Sequence, residues 1–192
     1  MNKSLKMILV LTIITVISGV ILSYWDSFTK PKIEAHRANK MDKLVRAILP
    51  DNDSIEELKI GGKTIYKGIK DDEIIGLVFK VEGGGYQDII SIIVGVSPDF
   101  SEINAIKILS QKETPGLGTK IVDDPSNDNP AWFTEQFKNL KIEPEIIFVK
   151  GKEATKNNEI QAITGATISS KAVVNILNVG IANIKKMYEN KK

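Results

Sequence analysis

An uncharged apolar run near the amino terminus is the feature that most constrains how this chain can fold. From Met7 to Trp25 the sequence carries no charged residue and consists mostly of isoleucine, leucine and valine. A helix of this length reaches about 28 Å at 1.5 Å per residue, close to the thickness of a bilayer's hydrocarbon core. The aromatic residues Tyr24 and Trp25 at its end suit a membrane interface. The run therefore predicts a transmembrane anchor over residues 1–29.

Two properties of this anchor stay open at the level of the sequence. Lys3 and Lys6 resemble the basic start of a cleaved signal peptide. The apolar run is long, however, and no convincing small-residue cleavage site follows it, so we favour a retained anchor. Basic residues also follow the run, namely Lys30, Lys32, Arg37 and Lys40. Because positive charge flanks both ends, the positive-inside rule does not assign an orientation.

Residues 30–52 are predicted to form a juxtamembrane amphipathic helix. Pro31 is expected to break the chain after the anchor, and Pro50 and Asp51 to end the second helix. Between them, apolar residues recur at helical spacing, at Ile33, Met41, Leu44, Val45 and Ile48. The basic residues of this segment fit a solvated face or a contact with lipid headgroups or a partner, and we favour the solvated face.

Residues 53–192 are predicted to form one α+β domain with a mainly antiparallel sheet. Short runs rich in isoleucine and valine predict strands at Thr64–Ile69, Ile74–Val81, Ile89–Val96 and Ile103–Leu109. The turns between them, such as Asp71-Asp72, are short and favour an antiparallel meander. The remaining predicted elements are a helix at Asn129–Phe137, a strand at Ile146–Lys150 and a closing helix at about Ile168–Tyr188.

The composition limits the chemistry that this chain can perform. It has no cysteine and one histidine, His36, so thiolate metal sites, iron–sulfur clusters and thiol nucleophiles are excluded. Its 26 basic residues are balanced by 24 acidic ones, which indicates no field that would attract nucleic acid. The aspartates of residues 123–129 lack the spacing of an EF-hand loop, so no metal site is predicted. Any redox role must therefore use an organic cofactor.

The start of the closing helix is predicted to bind a phosphate. Thr167 or Ser169 can cap free N–H groups there, which is an ordinary structural role. The first turns carry no acidic residue and instead carry Lys171, which the helix dipole disfavours at this end. An external anion would compensate, because Gly165 and Ala166 let the main chain approach it closely.

This segment, Thr164–Ser169, reads Thr-Gly-Ala-Thr-Ile-Ser and is called here the attachment motif. It resembles the flavinylation motif of the FMN-binding domains in the RnfG and NqrC subunits of bacterial ion-pumping redox complexes. In that family the last threonine carries flavin mononucleotide (FMN) through a phosphoester bond installed by a flavin transferase. The resemblance assigns that role to Thr167. The residues it implies around the phosphate are Thr164, Gly165, Ala166, Ser169 and Lys171.

A second segment, Glu113–Gly118, reads Glu-Thr-Pro-Gly-Leu-Gly and is called here the ring loop. It is similar to a loop that lies beside the flavin in the same family. Glycines let the main chain approach a flat ring, while carboxylate and hydroxyl groups offer hydrogen bonds to ring heteroatoms. The resemblance therefore implies cofactor contacts from Glu113, Thr114, Gly116, Leu117 and Gly118.

Two further positions resemble the family less specifically, and a third departs from it. Tyr86 and Trp132 lie in segments similar to the family, where stacking on the flavin and ordinary core packing are equally good explanations. Gln161 stands where the family usually has an aspartate. We therefore predict no cofactor contact from these side chains.

The resemblance implies a membrane-anchored electron-transfer subunit of an Rnf-type complex. Such a complex passes electrons between ferredoxin and NAD and drives Na⁺ or H⁺ across the cytoplasmic membrane, with the flavin domain on the extracytoplasmic side. The implied partners are other membrane subunits, a flavin transferase and membrane lipid, and no catalytic residue is expected in a carrier of this kind. The alternatives are an NqrC-like subunit of a sodium-pumping NADH:quinone reductase and a membrane-tethered binding module without a redox role.

Overall fold

The computed structural model describes residues 3–191, and the side chains of residues 31–40 lie outside that description. The first element is the helix α1, Lys3–Ile48. Its backbone stays helical through Pro31, so the predicted break there is wrong. A proline inside a helix removes one backbone N–H donor, but the neighbouring turns keep their hydrogen bonds, so the helix can continue. The predicted contribution of Ile33 to an apolar face falls outside the described side chains.

The chain forms two compact units, Met1–Lys43 and Leu44–Lys192. In the first unit, Lys3–Lys30 is long and apolar enough to cross a membrane, and its most apolar window is not buried by protein. The hydroxyls of Thr12 and Thr15 donate to backbone carbonyls one turn earlier, at 2.9 and 2.8 Å. Polar side chains satisfied within the helix in this way are compatible with a lipid environment.

A six-stranded antiparallel sheet, in which each strand pairs with the next along the chain, is the base of the second unit. Its strands are β1 (Ser54–Ile60), β2 (Lys63–Lys70), β3 (Glu73–Gly84), β4 (Ile89–Val96), β5 (Glu102–Ser110) and β6 (Leu140–Lys141). The turns at Gly61–Gly62 and Asp71–Asp72 have positive φ at all four residues, as two-residue hairpin turns require. The predicted antiparallel sheet is confirmed.

Short elements fill the segment between β5 and the closing helix. They are a 3₁₀ helix, Gly118–Ile121, the helix α2, Trp132–Glu135, and two parallel strands, β7 (Ile147–Val149) and β8 (Glu159–Gln161). The helix α2 is a single turn and shorter than the predicted Asn129–Phe137. The side chain of Asn129 accepts the amide of Ala131 at 3.1 Å and so competes with a helical backbone at this position.

The closing helix α3, Thr167–Glu189, packs on β3 and on the 3₁₀ helix. Gly180 permits the close approach to β3, because a Cβ atom there would lie 2.8 Å from the Cβ of Val81. Apolar side chains of α3, among them Val173, Leu177 and Ile181, are buried in the core. This packing places the first turn of α3 beside the end of the ring loop.

The second unit begins with the last turns of α1. Leu44, Val45, Ile48 and Leu49 are buried. Leu49 lies against Gly76 of β3, where a Cβ atom would approach its Cδ2 atom to 2.8 Å. The end of α1 is therefore part of the core of the second unit.

Candidate functional site

The attachment motif forms the turn into α3. Gly165 has a φ of +83°, a conformation that other residues rarely adopt. Ala166 is the N-cap and offers no side-chain hydrogen bond, so neither Thr167 nor Ser169 acts as a cap. Within residues 3–191, the amides of Thr167, Ile168 and Ser169 find no acceptor. Free N–H groups at a helix start, with no acidic residue in the first turn, favour an anion.

A cavity of about 500 Å³ opens at this helix start. Its volume lies within the range of small-molecule sites, about 300–1,000 Å³. The described residues that line it are Tyr86, Thr114, Leu117, Gly118, Lys150, Gly165, Ala166, Thr167, Ile168 and Ser169. The fold therefore brings the ring loop and the attachment motif, which are far apart in the sequence, to one cavity.

Four of the predicted site residues are not part of the cavity lining, and these are Glu113, Gly116, Thr164 and Lys171. Gly116 shapes the ring loop, with a φ of +72° and an amide that donates to the hydroxyl of Thr119 at 3.0 Å. Thr164 and Lys171 are exposed to solvent.

Glu113 is buried, with 3% of its surface exposed. Its Oε1 atom accepts the backbone amides of Tyr86 at 2.9 Å and Gln87 at 3.1 Å. Its Oε2 atom accepts the hydroxyl of Ser169. The carboxylate that the resemblance directs at a flavin ring is therefore directed at a neighbouring turn and at α3.

Gly118 forms the thin wall between Glu113 and the cavity. A Cβ atom at this position would lie 2.9 Å from the Ser169 hydroxyl and 3.2 Å from the Oε2 atom of Glu113. The nearest atom, the Cβ of Glu113, would lie only 2.7 Å away, which is too short for a Cβ contact, so the site requires glycine here.

The hydroxyl groups at the start of α3 have different surroundings. Ser169 donates to Glu113. Ser170 accepts the amide of Ile163 and donates to the carbonyl of Ala166, both at 3.0 Å. The hydroxyl of Thr167 has no partner within the described residues, and Thr167 lines the cavity. Thr167 is therefore the hydroxyl of this helix start that is available to a ligand.

Lys150 supplies positive charge to the cavity and is the charged residue of its lining within the described part of the chain. It follows β7 directly, and the carbonyl of Val149 accepts the amide of Ala162 at 2.8 Å. This pairing of β7 with β8 brings Lys150 beside the segment that leads into the attachment motif. The prediction had assigned the basic role to Lys171, and Lys150 was missed.

Of the two aromatic candidates, Tyr86 lines the cavity and Trp132 does not. The side chain of Trp132 packs edge-on against Phe133, with ring centroids 6.0 Å apart, and donates to Asp124 at 3.3 Å. A hydrogen bond from the Ser126 side chain is the main cause that lowers the pKa of Asp124 to about 2. Trp132 therefore serves the packing of the loop that contains Asp124.

The chemistry of the lining fits a flat ring that carries a phosphate. Leu117, Ile168 and Tyr86 are exposed apolar or aromatic side chains at the cavity. Lys150 and the free amides of the α3 start provide the donors that a phosphate needs. A domain with this fold and such a cavity is a flavin-nucleotide-binding domain. The chain belongs to the FMN-binding domain family, whose family model matches residues 85–182.

Alignments with curated relatives cover more of the chain than the family model does. The chain is 36% identical over 163 residues to the G component of the proton-translocating ferredoxin:NAD(+) oxidoreductase complex of Clostridium ljungdahlii, a match that covers 85% of this chain and 82% of that protein. It is 28% identical to the G component of the ion-translocating oxidoreductase complex of Methanosarcina acetivorans, over 92% of each chain. It is also 29% identical to the C component of the Na(+)-translocating NADH-quinone reductase of Vibrio alginolyticus, over 66% of this chain and 50% of that protein.

Solved structures show the same fold. Shewanella oneidensis NqrC superposes with a TM-score of 0.54 at 23% identity, over 62% of this chain and 55% of that chain. The C component of the Na(+)-translocating NADH-quinone reductase of Parabacteroides distasonis gives a TM-score of 0.52 at 25% identity, over 64% of this chain and 61% of that chain. The α+β fold is therefore that of NqrC FMN-binding domains.

Proposed function

We propose that this protein is the FMN-bearing electron-transfer subunit of an Rnf-type ferredoxin:NAD oxidoreductase coupled to Na⁺ or H⁺ translocation, with FMN attached covalently to Thr167. The observation that carries the attachment is the free hydroxyl of Thr167, which lines the cavity at the uncapped start of α3. The relatives from ferredoxin:NAD and ion-translocating oxidoreductase complexes, one of which matches over 92% of each chain, support the assignment to an Rnf-type complex.

The residues of the site bind and orient the cofactor. The amides of the first turn of α3 and the side chain of Lys150 hold the phosphate, while Tyr86 and Leu117 flank the ring. When bound, FMN supplies the redox chemistry, and the protein sets its position and the charge around it. No side chain of this domain needs to make or break a bond during electron transfer.

Attachment itself forms a bond between the Thr167 oxygen and the flavin phosphorus, and the hydroxyl proton is lost. Direct condensation of FMN with an alcohol would have to expel water, which is a poor leaving group. The donor must therefore be an activated flavin nucleotide with a phosphoanhydride, whose bond to phosphorus breaks as the threonine ester forms. A flavin transferase is the partner that would bind this donor at the cavity.

The anchor and the partners follow from the same assignment. Residues 1–29 hold the protein in the cytoplasmic membrane through contact with lipid, and the FMN domain lies on the extracytoplasmic side. Other membrane subunits of the complex exchange electrons with it. An NqrC-like subunit of a sodium-pumping NADH:quinone reductase is the alternative, favoured by the shared fold with NqrC structures. Purification of the intact complex and identification of its other subunits distinguishes the two.

In-gel fluorescence under ultraviolet light tests the attachment on protein co-expressed with a flavin transferase. The wild-type band is expected to fluoresce after denaturation, and its protein is expected to be heavier by the mass of one FMN less one water. Thr167→Val removes the acceptor and should abolish both signals. Thr64→Val, which removes a hydroxyl of β2 outside both the cavity lining and the attachment motif, is the matched control and should keep them. A dark wild-type band, or a fluorescent Thr167→Val band with wild-type mass, contradicts the proposal.

A further inference from the structure

Glu113 links three segments of the site without lining the cavity. It lies at the start of the ring loop, and its carboxylate accepts two amides of the β3–β4 turn and the hydroxyl of Ser169 in α3. We infer that Glu113 is a positioning residue that clamps Tyr86 and the start of α3 together and sets a negative charge behind the cavity wall.

The hydrogen bonds of Glu113 account for the clamp. Every partner is a donor, an N–H from Tyr86 and Gln87 and an O–H from Ser169, as an acceptor-only carboxylate requires. These partners are neutral, and no ion pair to Glu113 is found within residues 3–191. A buried carboxylate held by main-chain amides is costly to remove, since the donors lose their acceptor.

The turn that Glu113 holds positions Tyr86 at the cavity. The amide of Gly85 donates to the carbonyl of Asp88 at 2.8 Å and closes the turn. The side chain of Tyr86 is 59% exposed, so packing restrains it little. The main-chain bonds to Glu113 are therefore what keeps Tyr86 at the rim of the cavity.

Glu113 lies directly behind two residues of the cavity lining, because it accepts the hydroxyl of Ser169 and its Oε2 atom would lie 3.2 Å from a Cβ atom at Gly118. Burial strengthens its field because little water screens it. A fixed negative charge opposes the addition of electrons to a nearby redox group. Glu113 therefore holds the reduction potential of a bound flavin low, a consequence that rests on the proposed function.

Glu113→Gln tests the charge with little change of shape. The amide oxygen can accept the same two N–H groups, and the amide nitrogen can donate to the Ser169 hydroxyl. Spectroelectrochemical titration of the flavinylated full-length protein is expected to show a shift to a less negative potential. Glu159→Gln is the matched control, because Glu159 is also buried, accepts the amide of Thr155 at 3.2 Å and does not line the cavity. An unchanged potential in Glu113→Gln, or an equal shift in Glu159→Gln, overturns the role of the charge.

Glu113→Ala tests the clamp and needs no cofactor. In a Thr167→Val background, which carries no covalent flavin, hydrogen exchange at the amides of Tyr86 and Gln87 is expected to accelerate on the order of tenfold. Exchange in β4 should stay slow, which separates loss of the clamp from general unfolding. Unchanged exchange at both amides refutes the clamp. If the wild-type protein carries no covalent flavin, the proposed function is refuted. The hydrogen-exchange result still decides whether Glu113 acts as a clamp, because it needs no cofactor.

Discussion

At the scale of single residues, hydrogen bonding separates Thr167 from the two serine hydroxyls that follow it in α3. Ser169 and Ser170 lie one turn or less away, and both donate to acceptors within the protein. A hydroxyl that is already a donor to a buried carboxylate or a carbonyl must break that bond before it can react. Thr167 needs no such rearrangement, so the fold favours Thr167 as the acceptor over Ser169 and Ser170.

The charge at the cavity gives a prediction for two lysines. Lys150→Gln should slow covalent flavinylation about twofold to fivefold, because an exposed charge contact contributes up to about 1 kcal/mol. Lys171→Gln should change the rate little, since Lys171 does not line the cavity. A time course of in-gel fluorescence in the presence of the transferase measures both rates.

Ionic strength provides the control for this prediction. The difference between Lys150→Gln and wild type should shrink as salt is added, because salt screens exposed charges. A larger effect of Lys171→Gln than of Lys150→Gln would restore the role that the dipole argument gave to Lys171.

The sequence predicted a part of this site, and the limits have physical causes. Small residues and hydroxyls at a helix start are visible in the sequence and predicted a phosphate site near Gly165, while the resemblance to the flavinylation motif selected Thr167. Lys150 was missed because it reaches the cavity through parallel pairing of β7 and β8, which is not encoded by any local pattern. The direction of the Glu113 carboxylate depends on amides of the β3–β4 turn and was equally out of reach.

At the scale of elements, close packing of α3 on β3 gives a stability prediction. Gly180→Ala inserts a methyl group 2.8 Å from the Cβ of Val81, and overpacking of this kind costs about 1–3 kcal/mol. The gain in helix propensity offsets about 1 kcal/mol of that cost. Chemical unfolding should therefore show a net loss of up to about 2 kcal/mol. The control Asn183→Ala, at an exposed position of the same helix, should show no loss of stability. If Gly180→Ala were as stable as the wild type, the contact between α3 and β3 would have to relax without cost.

The turn between β4 and β5 gives a prediction for how the stability of the fold depends on pH. Hydrogen bonds from the Ser97 and Ser101 side chains lower the pKa of Asp99 from 3.8 to about 2. A lowered folded-state pKa stabilises the fold above the unfolded pKa, and the contribution is lost as the pH falls toward about 2. Asp99→Asn should therefore lower the melting temperature at about pH 5, and the gap to wild type should close on acidification through this range. A gap that is constant with pH would assign the effect to shape and not to charge.

The elements that the sequence predicted share a strong apolar pattern. The strands β3 to β5 and the helix α3 carry several buried isoleucine and valine residues, β2 contributes the buried Ile65, and all of these elements form close to the predicted positions. The strand β1 was missed because it lies at a sheet edge and its side chains are mostly exposed. The strands β6 and β8 have two and three residues, too few for any periodicity. Their positions are set by contacts with distant segments.

At the scale of the whole molecule, a retained anchor predicts both the length and the location of the protein. The intact mass of the purified protein should include residues 1–29, and the protein should stay in the membrane pellet after alkaline carbonate extraction. The apolar stretch Lys3–Lys30 and the internally bonded hydroxyls of Thr12 and Thr15 support this. A mass that lacks the apolar run would identify it as a cleaved signal peptide, as the basic start of the sequence allows.

The side of the membrane is the last property to test, because lysines on both flanks of the apolar run leave it undetermined by charge. Protease added to intact spheroplasts should digest the second unit, Leu44–Lys192, and leave a membrane-protected fragment from the amino terminus. A cytoplasmic marker must survive in the same sample, and detergent must expose it, to show that the membrane was sealed. Protection of the second unit until detergent is added would place it in the cytoplasm and contradict the proposed location. Digestion of the unit with loss of the FMN fluorescence from the membrane pellet would locate the cofactor and the domain together.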